Sequence, residues 1–428
     1  MNEKIYTIET FTVILMYFFC YYVASNGKYK IIAYCSIVFS VVFTYFVFGE
    51  FFISYNILPT VNFPLFCSSA IYFLLIFFLF SLCSKYGLYG VIIHSSTVCA
   101  FSFLGLIPPL NPLIALYYSY SSYLPQTEIP IVNLLILNTI PTVIFCNTRT
   151  LNKLIFISLL MLMISLSQYN MNVNHKKNIK IAVVQVGLYF EQHDSISSFF
   201  QDFHSFLKSN PDIDMVTFSE NNVFTYKTEF NKNLSKKLLD FIIENDLNKN
   251  HHFFLSFNGL GNVNNVVTLY LHKEKQIINQ KIKLIPFVEK EGILNKKEDI
   301  TSDYFWFDRS LKNSIFNIEG VFVNTSICFD ALFPQIAPDN TDLTIIQSNY
   351  SLLNKGYGFE RLQKLGGLLS KFSVGISSNL VINIQNNGGT IVINKDWKID
   401  ENLYLRSKVE PFFIIEKNIF LHKNISKI

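Results

Sequence analysis

Cysteine is almost missing from the C-terminal part of this 428-residue chain. Six of the seven cysteines lie at or before residue 146, and Cys328 is the only one that follows. A disulfide within the C-terminal part is therefore excluded. A lone cysteine is either an inert core residue or a nucleophile, and composition alone favours the inert interpretation.

Charge is scarce in the first 170 residues, which hold six of the 35 basic side chains and four of the 31 acidic ones. A bilayer core requires about 20 apolar residues per helix, and five or six stretches meet that requirement. We expect the short, Tyr- and Ser-rich segment Leu113–Leu124 to be re-entrant or interfacial. The sequence predicts a polytopic α-helical membrane bundle over residues 1–170, with spans near Thr10–Ser25, Ile31–Gly49, Leu65–Ser84, Leu88–Leu106, Ile129–Thr148 and Leu154–Asn170.

The few basic residues of this bundle predict its orientation, because loops that carry Lys and Arg stay in the cytoplasm. They occupy alternate loops: Lys28, Lys30, Lys85, Arg149 and Lys153. With six spans, everything after residue 170 lies outside the cytoplasm. In a bacterium this means an inner (cell) membrane protein with a periplasmic or extracytoplasmic domain. A seventh span at the Tyr- and Ser-rich segment would reverse that orientation.

The rest of the chain has an ordinary charge content and lacks several binding signatures. The net charge of the whole protein is only +4, which argues against a nucleic-acid partner. No histidine spacing indicates a metal site, and no glycine-rich loop indicates a nucleotide, so we expect neither metal nor cofactor. After a polar linker at residues 171–178, apolar strands and amphipathic helices alternate, which predicts a layered α/β domain over residues 179–428.

Three apolar strands of this domain each end close to a reactive side chain: Glu220, Lys281 and Cys328. Together, a carboxylate, an ammonium and a thiol can form a nucleophilic site. The thiolate attacks a carbonyl, the carboxylate takes and returns protons, and the cation stabilises the oxyanion. Taken alone, Glu220 is an ordinary strand-end acid, and Lys283 competes with Lys281 for the cationic role.

These segments, in this order, resemble the nitrilase superfamily, and in particular its membrane-bound branch, apolipoprotein N-acyltransferase. Lys281-Ile-Lys-Leu-Ile-Pro-Phe-Val-Glu289 is similar to that branch's Lys-x-x-Leu-Val-Pro-Phe-Gly-Glu, and Ile327-Cys328-Phe329-Asp330 to its Ile-Cys-Tyr-Glu. The resemblance implies an α-β-β-α sandwich with a Glu220–Lys281–Cys328 triad. It also selects Lys281 over Lys283 and implies supporting roles for Glu289, Phe329 and Asp330.

The resemblance further implies a reaction: an acyl chain passes from a phospholipid donor, through a thioester on Cys328, to the N-terminal amine of a lipoprotein. The chain departs from the pattern at Phe329-Asp330, and Phe412–Ile428 is too short and too charged to be the branch's C-terminal transmembrane helix. Two alternatives stay open. One is a membrane-tethered nitrilase-like amidase or acyltransferase of unknown substrate, as encoded with conjugal-transfer systems. The other is a non-catalytic membrane protein.

Overall fold

A computed structural model describes residues 2–26, 29–48, 59–105, 107–168, 173–193, 195–221, 237–258, 266–283, 315–335, 341–350 and 359–422. The N-terminal part is helical, as predicted. Its long helices are α1 (Asn2–Ser25), α2 (Tyr29–Phe48), α3 (Pro59–Cys83) and α4 (Gly87–Phe103). A four-residue helix α5 (Tyr117–Tyr120) follows, and then α6 (Pro130–Phe145) and α7 (Thr150–Gln168).

Three stretches of the described residues are long and apolar enough to cross a membrane: Ile8–Ser25, Tyr29–Val47 and Phe66–Phe103. The third covers 38 residues and contains most of α3 and all of α4, which pack side by side, since Nε2 of His94 lies 3.1 Å from the carbonyl oxygen of Ile76. Helices α6 and α7 are apolar but shorter. At 1.5 Å per residue, the 16 residues of α6 extend only about 24 Å. Six spans therefore stay a prediction.

The segment expected to be re-entrant or interfacial contains short helical turns that pack against the C-terminal domain. Tyr117 is fully buried, and its ring lies 4.3 Å from the ring of Trp397 and 5.6 Å from that of Phe372, measured between centroids. This segment therefore joins the bundle to the following domain. An ion pair of 2.5 Å between Arg361 and Glu9 supports the same junction.

The C-terminal domain contains two mixed β-sheets. The first has the order β11-β1-β2-β3-β4-β5 and the second the order β10-β9-β8-β7-β6. Strands β1–β2–β3 and β7–β8–β9 run parallel within their sheets, and the outer neighbours run antiparallel. The strands are β1 (Val173–Val184), β2 (Met215–Asn221), β3 (His252–Asn258), β4 (Val266–His272), β5 (Glu274–Gln280), β6 (Phe316–Ile318), β7 (Val321–Ile327), β8 (Leu343–Ser348), β9 (Leu380–Gln385), β10 (Ile391–Asn394) and β11 (Phe412–His422).

Apolar side chains from both sheets meet between them, including Ile181 and Met215 of the first sheet and Val323 and Ile345 of the second. Helices cover the outer faces. The outer face of the first sheet packs against α9, and that of the second against α12. The domain is therefore an α-β-β-α sandwich, as predicted. Its helices are α8 (Val186–Gln192), α9 (Ile196–Ser209), α10 (residues 237–244), α11 (Leu247–Asn250), α12 (Phe359–Val374) and α13 (Glu401–Ser407).

The bundle covers α12, the helix on the outer face of the second sheet. Ile14 of α1 and Leu137 of α6 belong to the same apolar cluster as Leu368 of α12. The apolar helices therefore pack on the α12 side of the sandwich. Side chains near α12 therefore lie close to the bundle.

One sequence-based expectation needs correction. Residues 173–178, expected to be a linker, form the first half of β1, because they pair with β11 in an antiparallel ladder in which Lys177 lies opposite Ile419. Because this stretch is mostly polar, its sequence does not indicate a strand. The segment that begins at Phe412, judged unsuitable as a membrane helix, forms β11 at the edge of the first sheet as far as His422.

Candidate active site

Glu220 and Lys281 form an ion pair in the interior of the sandwich. Nζ of Lys281 donates a hydrogen bond of 2.9 Å to Oε1 of Glu220, and the side chains are 0% and 1% exposed respectively. Glu220 belongs to β2, and Lys281 directly follows β5. Burying two charges costs several kcal/mol of desolvation per ion, which an ordinary surface pair does not incur. A buried pair of this kind is a candidate for a functional role.

Cys328 directly follows β7, at the first residue of a short 3₁₀ helix, Cys328–Leu332. Its φ of +44° lies in the left-handed region, which a residue with a side chain rarely adopts. Backbone strain of this kind costs on the order of 1–3 kcal/mol and clusters at functional sites. The thiol is 3% exposed and packs with Val266, Ile327 and Tyr350.

The electrostatics of Tyr350 connect Cys328 with the ion pair. Burial raises the pKa of the Tyr350 phenol, and the negative charges that Cys328 and Glu220 can carry raise it further, whereas the amides of Asn383 and Gln385 lower it. Val266, which packs with Cys328, also accepts a hydrogen bond of 2.8 Å from the backbone N–H of Lys281. The structure brings the three sequence-predicted residues Glu220, Lys281 and Cys328 to one buried region.

Asp330 joins the loop that carries Cys328 to the loop that carries Lys281. Its carboxylate accepts hydrogen bonds from the backbone N–H of Ile282, at 2.7 Å, and from that of Lys283. Bonds to an ionised acceptor are about twice as strong as neutral ones. Asp330 therefore fixes the backbone immediately after Lys281, which gives the predicted supporting residue a definite structural role.

The other predicted site residues have different outcomes. Glu289 lies outside the described residues, so its role stays a prediction. Phe329 is partly exposed and makes an edge-to-face contact with Phe333, with ring centroids 5.1 Å apart. Lys283, the rival cation, contacts the bundle: its Nζ is 3.4 Å from the carbonyl oxygen of Leu104, the residue after α4.

Two buried amides that sequence analysis did not single out for the site hold its strands in place. Gln347 of β8 donates to the carbonyl oxygens of Phe218 and Phe254 in the opposite sheet, at 2.9 and 3.2 Å. Asn386 accepts from the hydroxyl of Ser219, the residue before Glu220, at 2.9 Å. Asn386 lies 167 residues after Ser219, so no local sequence pattern indicates this contact.

A cavity of about 230 Å³ lies where the nucleophile loop, the Lys281 loop and α4 meet. Phe103, the last residue of α4, contributes to one wall, so the apolar bundle reaches this cavity. Glu220, Lys281 and Cys328 are not among the residues that line it, and Asp330 links its wall to the loops that carry Lys281 and Cys328. The polar part of the wall includes Asp330 and Lys283. The cavity is lined by Phe103, Asn279, Ile282, Lys283, Ser326, Asp330, Phe333, Pro334 and Gln335.

This arrangement contains the groups that covalent acyl chemistry needs: a nucleophile, a proton carrier and a cation. The ammonium of Lys281 can stabilise negative charge on an oxygen, and the carboxylate of Glu220 can exchange protons. Among the described residues, no group of three or more His, Cys, Asp and Glu side chains is placed to hold a metal ion.

No family model matches the chain, and no curated protein matches it. Solved structures similar to it include a glutamine-dependent NAD⁺ synthetase from Acinetobacter baumannii, at 16% identity and a TM-score of 0.37, with 59% of this chain and 49% of that chain covered. This chain therefore spans about half the length of that synthetase.

Two further similar structures are a member of the nitrilase superfamily and a carbon-nitrogen hydrolase. Nit3 of Saccharomyces cerevisiae, a member of branch 10 of the nitrilase superfamily, has 15% identity and a TM-score of 0.33, covering 57% of this chain and 90% of its own. A carbon-nitrogen hydrolase from Helicobacter pylori G27 has 14% identity and a TM-score of 0.37, covering 56% and 88%. Likenesses this distant assign neither a substrate nor an activity.

Proposed function

We propose that this protein is a membrane-bound acyltransferase of nitrilase type, in which Cys328 carries an acyl chain as a thioester. The donor is a phospholipid, and the acceptor is the N-terminal amine of a lipoprotein. The observation that carries the proposal is the buried Glu220–Lys281 ion pair, whose side chains are at most 1% exposed, beside a thiol on a strained strand-end turn. A purely structural core has no need of these three groups together.

The reaction follows from the roles of the three groups. The Cys328 thiolate attacks the ester carbonyl of the donor, and the ammonium of Lys281 stabilises the oxyanion that forms. The C–O bond breaks as Glu220 supplies the departing alcohol oxygen with the proton that it took from the Cys328 thiol. The acceptor amine then attacks the thioester and gives its proton to Glu220, and the C–S bond breaks to release the amide and the thiolate.

The position of the cavity supports a lipid donor. Phe103 at the end of α4 lines it, and α4 lies within a stretch that is long and apolar enough to cross a membrane. An acyl chain leaving the lipid phase beside α4 would meet Phe103, Ile282 and Phe333 before it reaches the nucleophile loop. The resemblance to the membrane-bound branch points to the same class of donor.

The test is acyl transfer in proteoliposomes. The full-length protein is incubated with a phospholipid that carries a labelled acyl chain and with a diacylated lipopeptide whose terminal amine is free. We expect labelled amide to form, and Cys328→Ser to abolish it. Cys146→Ser, which changes a buried cysteine of the bundle, is the matched control and should leave the rate unchanged. Equal loss in both variants, or transfer by Cys328→Ser, would refute the assignment of the nucleophile.

A second candidate function is a membrane-tethered amidase, in which water replaces the acceptor amine. The polar part of the cavity wall, with Asn279, Ser326 and Gln335, favours this candidate because such groups can hold an amide substrate or a water molecule. Complementation of a bacterial strain that lacks apolipoprotein N-acyltransferase separates the two. Growth supports lipoprotein acylation, whereas a stable catalytic protein that fails to complement and hydrolyses amides supports the amidase.

A further inference from the structure

Tyr350 is a buried phenol that neither the triad nor the cavity uses. It lies two residues after β8, is 8% exposed, and packs against Cys328, Ile327 and Val266. Because burial and the nearby negative groups raise the pKa of the phenol, it keeps its proton at neutral pH. A protonated phenol beside a thiolate can act as a hydrogen-bond donor to it.

The space around the hydroxyl is adapted to an oxygen atom. At Gly366 of α12, a Cβ would lie 2.7 Å from the hydroxyl oxygen of Tyr350 and 3.3 Å from its nearest ring carbon. The glycine therefore leaves room for the phenol within a helix, where glycine is less favourable than alanine. The amides of Asn383 and Gln385, which lower the pKa of the phenol, are fully or almost fully buried.

We propose that Tyr350 is a positioning residue that acts through Cys328: its hydroxyl donates a hydrogen bond to the sulfur and stabilises the thiolate. This inference rests on the proposed function, because only a nucleophile benefits from a stabilised thiolate. Gly366 leaves the space that the hydroxyl occupies. A phenylalanine would fill the same apolar space without stabilising the anion.

The expected effect is a shift in the pH at which the thiolate forms. Hydrogen bonds to charged groups contribute enough that losing one shifts a titration by about one pH unit or more. Tyr350→Phe should therefore raise the midpoint of the Cys328 titration by about one unit. Acyl transfer at a pH below the midpoint should fall by about tenfold, in proportion to the thiolate fraction.

The experiment measures ultraviolet thiolate absorbance against pH in the full-length protein in detergent. Each variant is compared with the same variant carrying Cys328→Ser, so that the other six cysteines and the tyrosines cancel, and no probe has to enter the site. Gly366→Ala, which crowds the hydroxyl, should raise the midpoint as Tyr350→Phe does. Gly367→Ala is the matched control, since its Cβ would lie 2.8 Å from the side chain of Ile391 instead.

The outcomes separate this inference from the proposed function. If the unmodified protein shows no Cys328 titration at or below neutral pH, the proposed function fails. If it does, but Tyr350→Phe has the same midpoint, the inference alone is wrong and the tyrosine merely fills space. A midpoint raised equally by Gly366→Ala and Gly367→Ala would show that general crowding of α12 is responsible, and would also overturn it.

Discussion

Replacing Asp330 with asparagine tests whether the link between the two site loops matters for activity. The carboxylate accepts two backbone N–H groups, from Ile282 and Lys283. Asparagine keeps the shape but offers one oxygen, so one N–H group would face an amide NH₂. Losing one charge-assisted bond and weakening the other removes about 2–4 kcal/mol of interaction.

If that interaction positions Lys281 in the transition state, Asp330→Asn should slow acyl transfer by roughly 30- to 1,000-fold, because each 1.36 kcal/mol is a factor of ten. The assay is the initial rate of labelled amide formation in proteoliposomes, measured together with the Tm of each variant. Substrate binding should change less than turnover, because Asp330 acts on the backbone that carries the cation.

Asp342→Asn is the matched control. Asp342 is also a buried aspartate whose carboxylate accepts a backbone N–H, that of Phe322 at 2.9 Å, but it lies at the opposite end of β7 from Cys328. Both variants should lose stability, and only Asp330→Asn should lose most of its rate per folded molecule. Equal rates per folded molecule in the two variants would refute the positioning role.

Three further predictions follow from the structure. Lys281→Met leaves Glu220 as a buried unpaired charge and should lower the free energy of unfolding by about 3–5 kcal/mol. Adding Glu220→Gln to the same chain should restore most of that stability, and thermal unfolding of both variants measures the difference. Burial lowers the pKa of Lys371 to about 7, below its value in the unfolded chain. The native state then binds fewer protons between about pH 7 and pH 10, so stability rises with pH across that window, and Lys371→Met should flatten the profile of Tm against pH. Phe103→Trp narrows the cavity and should raise KM for a phospholipid donor more than for a short-chain soluble thioester; equal effects would place the lipid elsewhere.

Much of the fold follows from local patterns. The apolar runs that lead to Glu220 and Cys328 have the period and length of strands. The helices of the first 170 residues are likewise predicted from long runs of apolar residues. These features depend on neighbours in the sequence, so the sequence alone predicts them.

The remaining features depend on residues that are distant in the sequence. Strand β11 carries a detectable signal, because Phe413, Ile415 and Ile419 are buried while Glu416 and Asn418 between them are exposed. The charged residues of this segment excluded a transmembrane helix, and the period-two pattern that indicates a strand was not used. The pairing of the polar start of β1, by contrast, is set only by β11.

The site shows the same limit. That Asp330 binds the backbone after Lys281 and that Gly366 makes room for Tyr350 are consequences of tertiary packing. No local sequence pattern predicts either contact. The types of reactive residue were predictable, whereas their supporting contacts were not.

The most direct test of the account is mass spectrometry of the protein after incubation with a phospholipid donor and no acceptor. We expect an acyl group on the peptide that contains Cys328, removed by hydroxylamine and absent from Cys328→Ser. An acyl group on any other residue, or one that persists in Cys328→Ser, would contradict it.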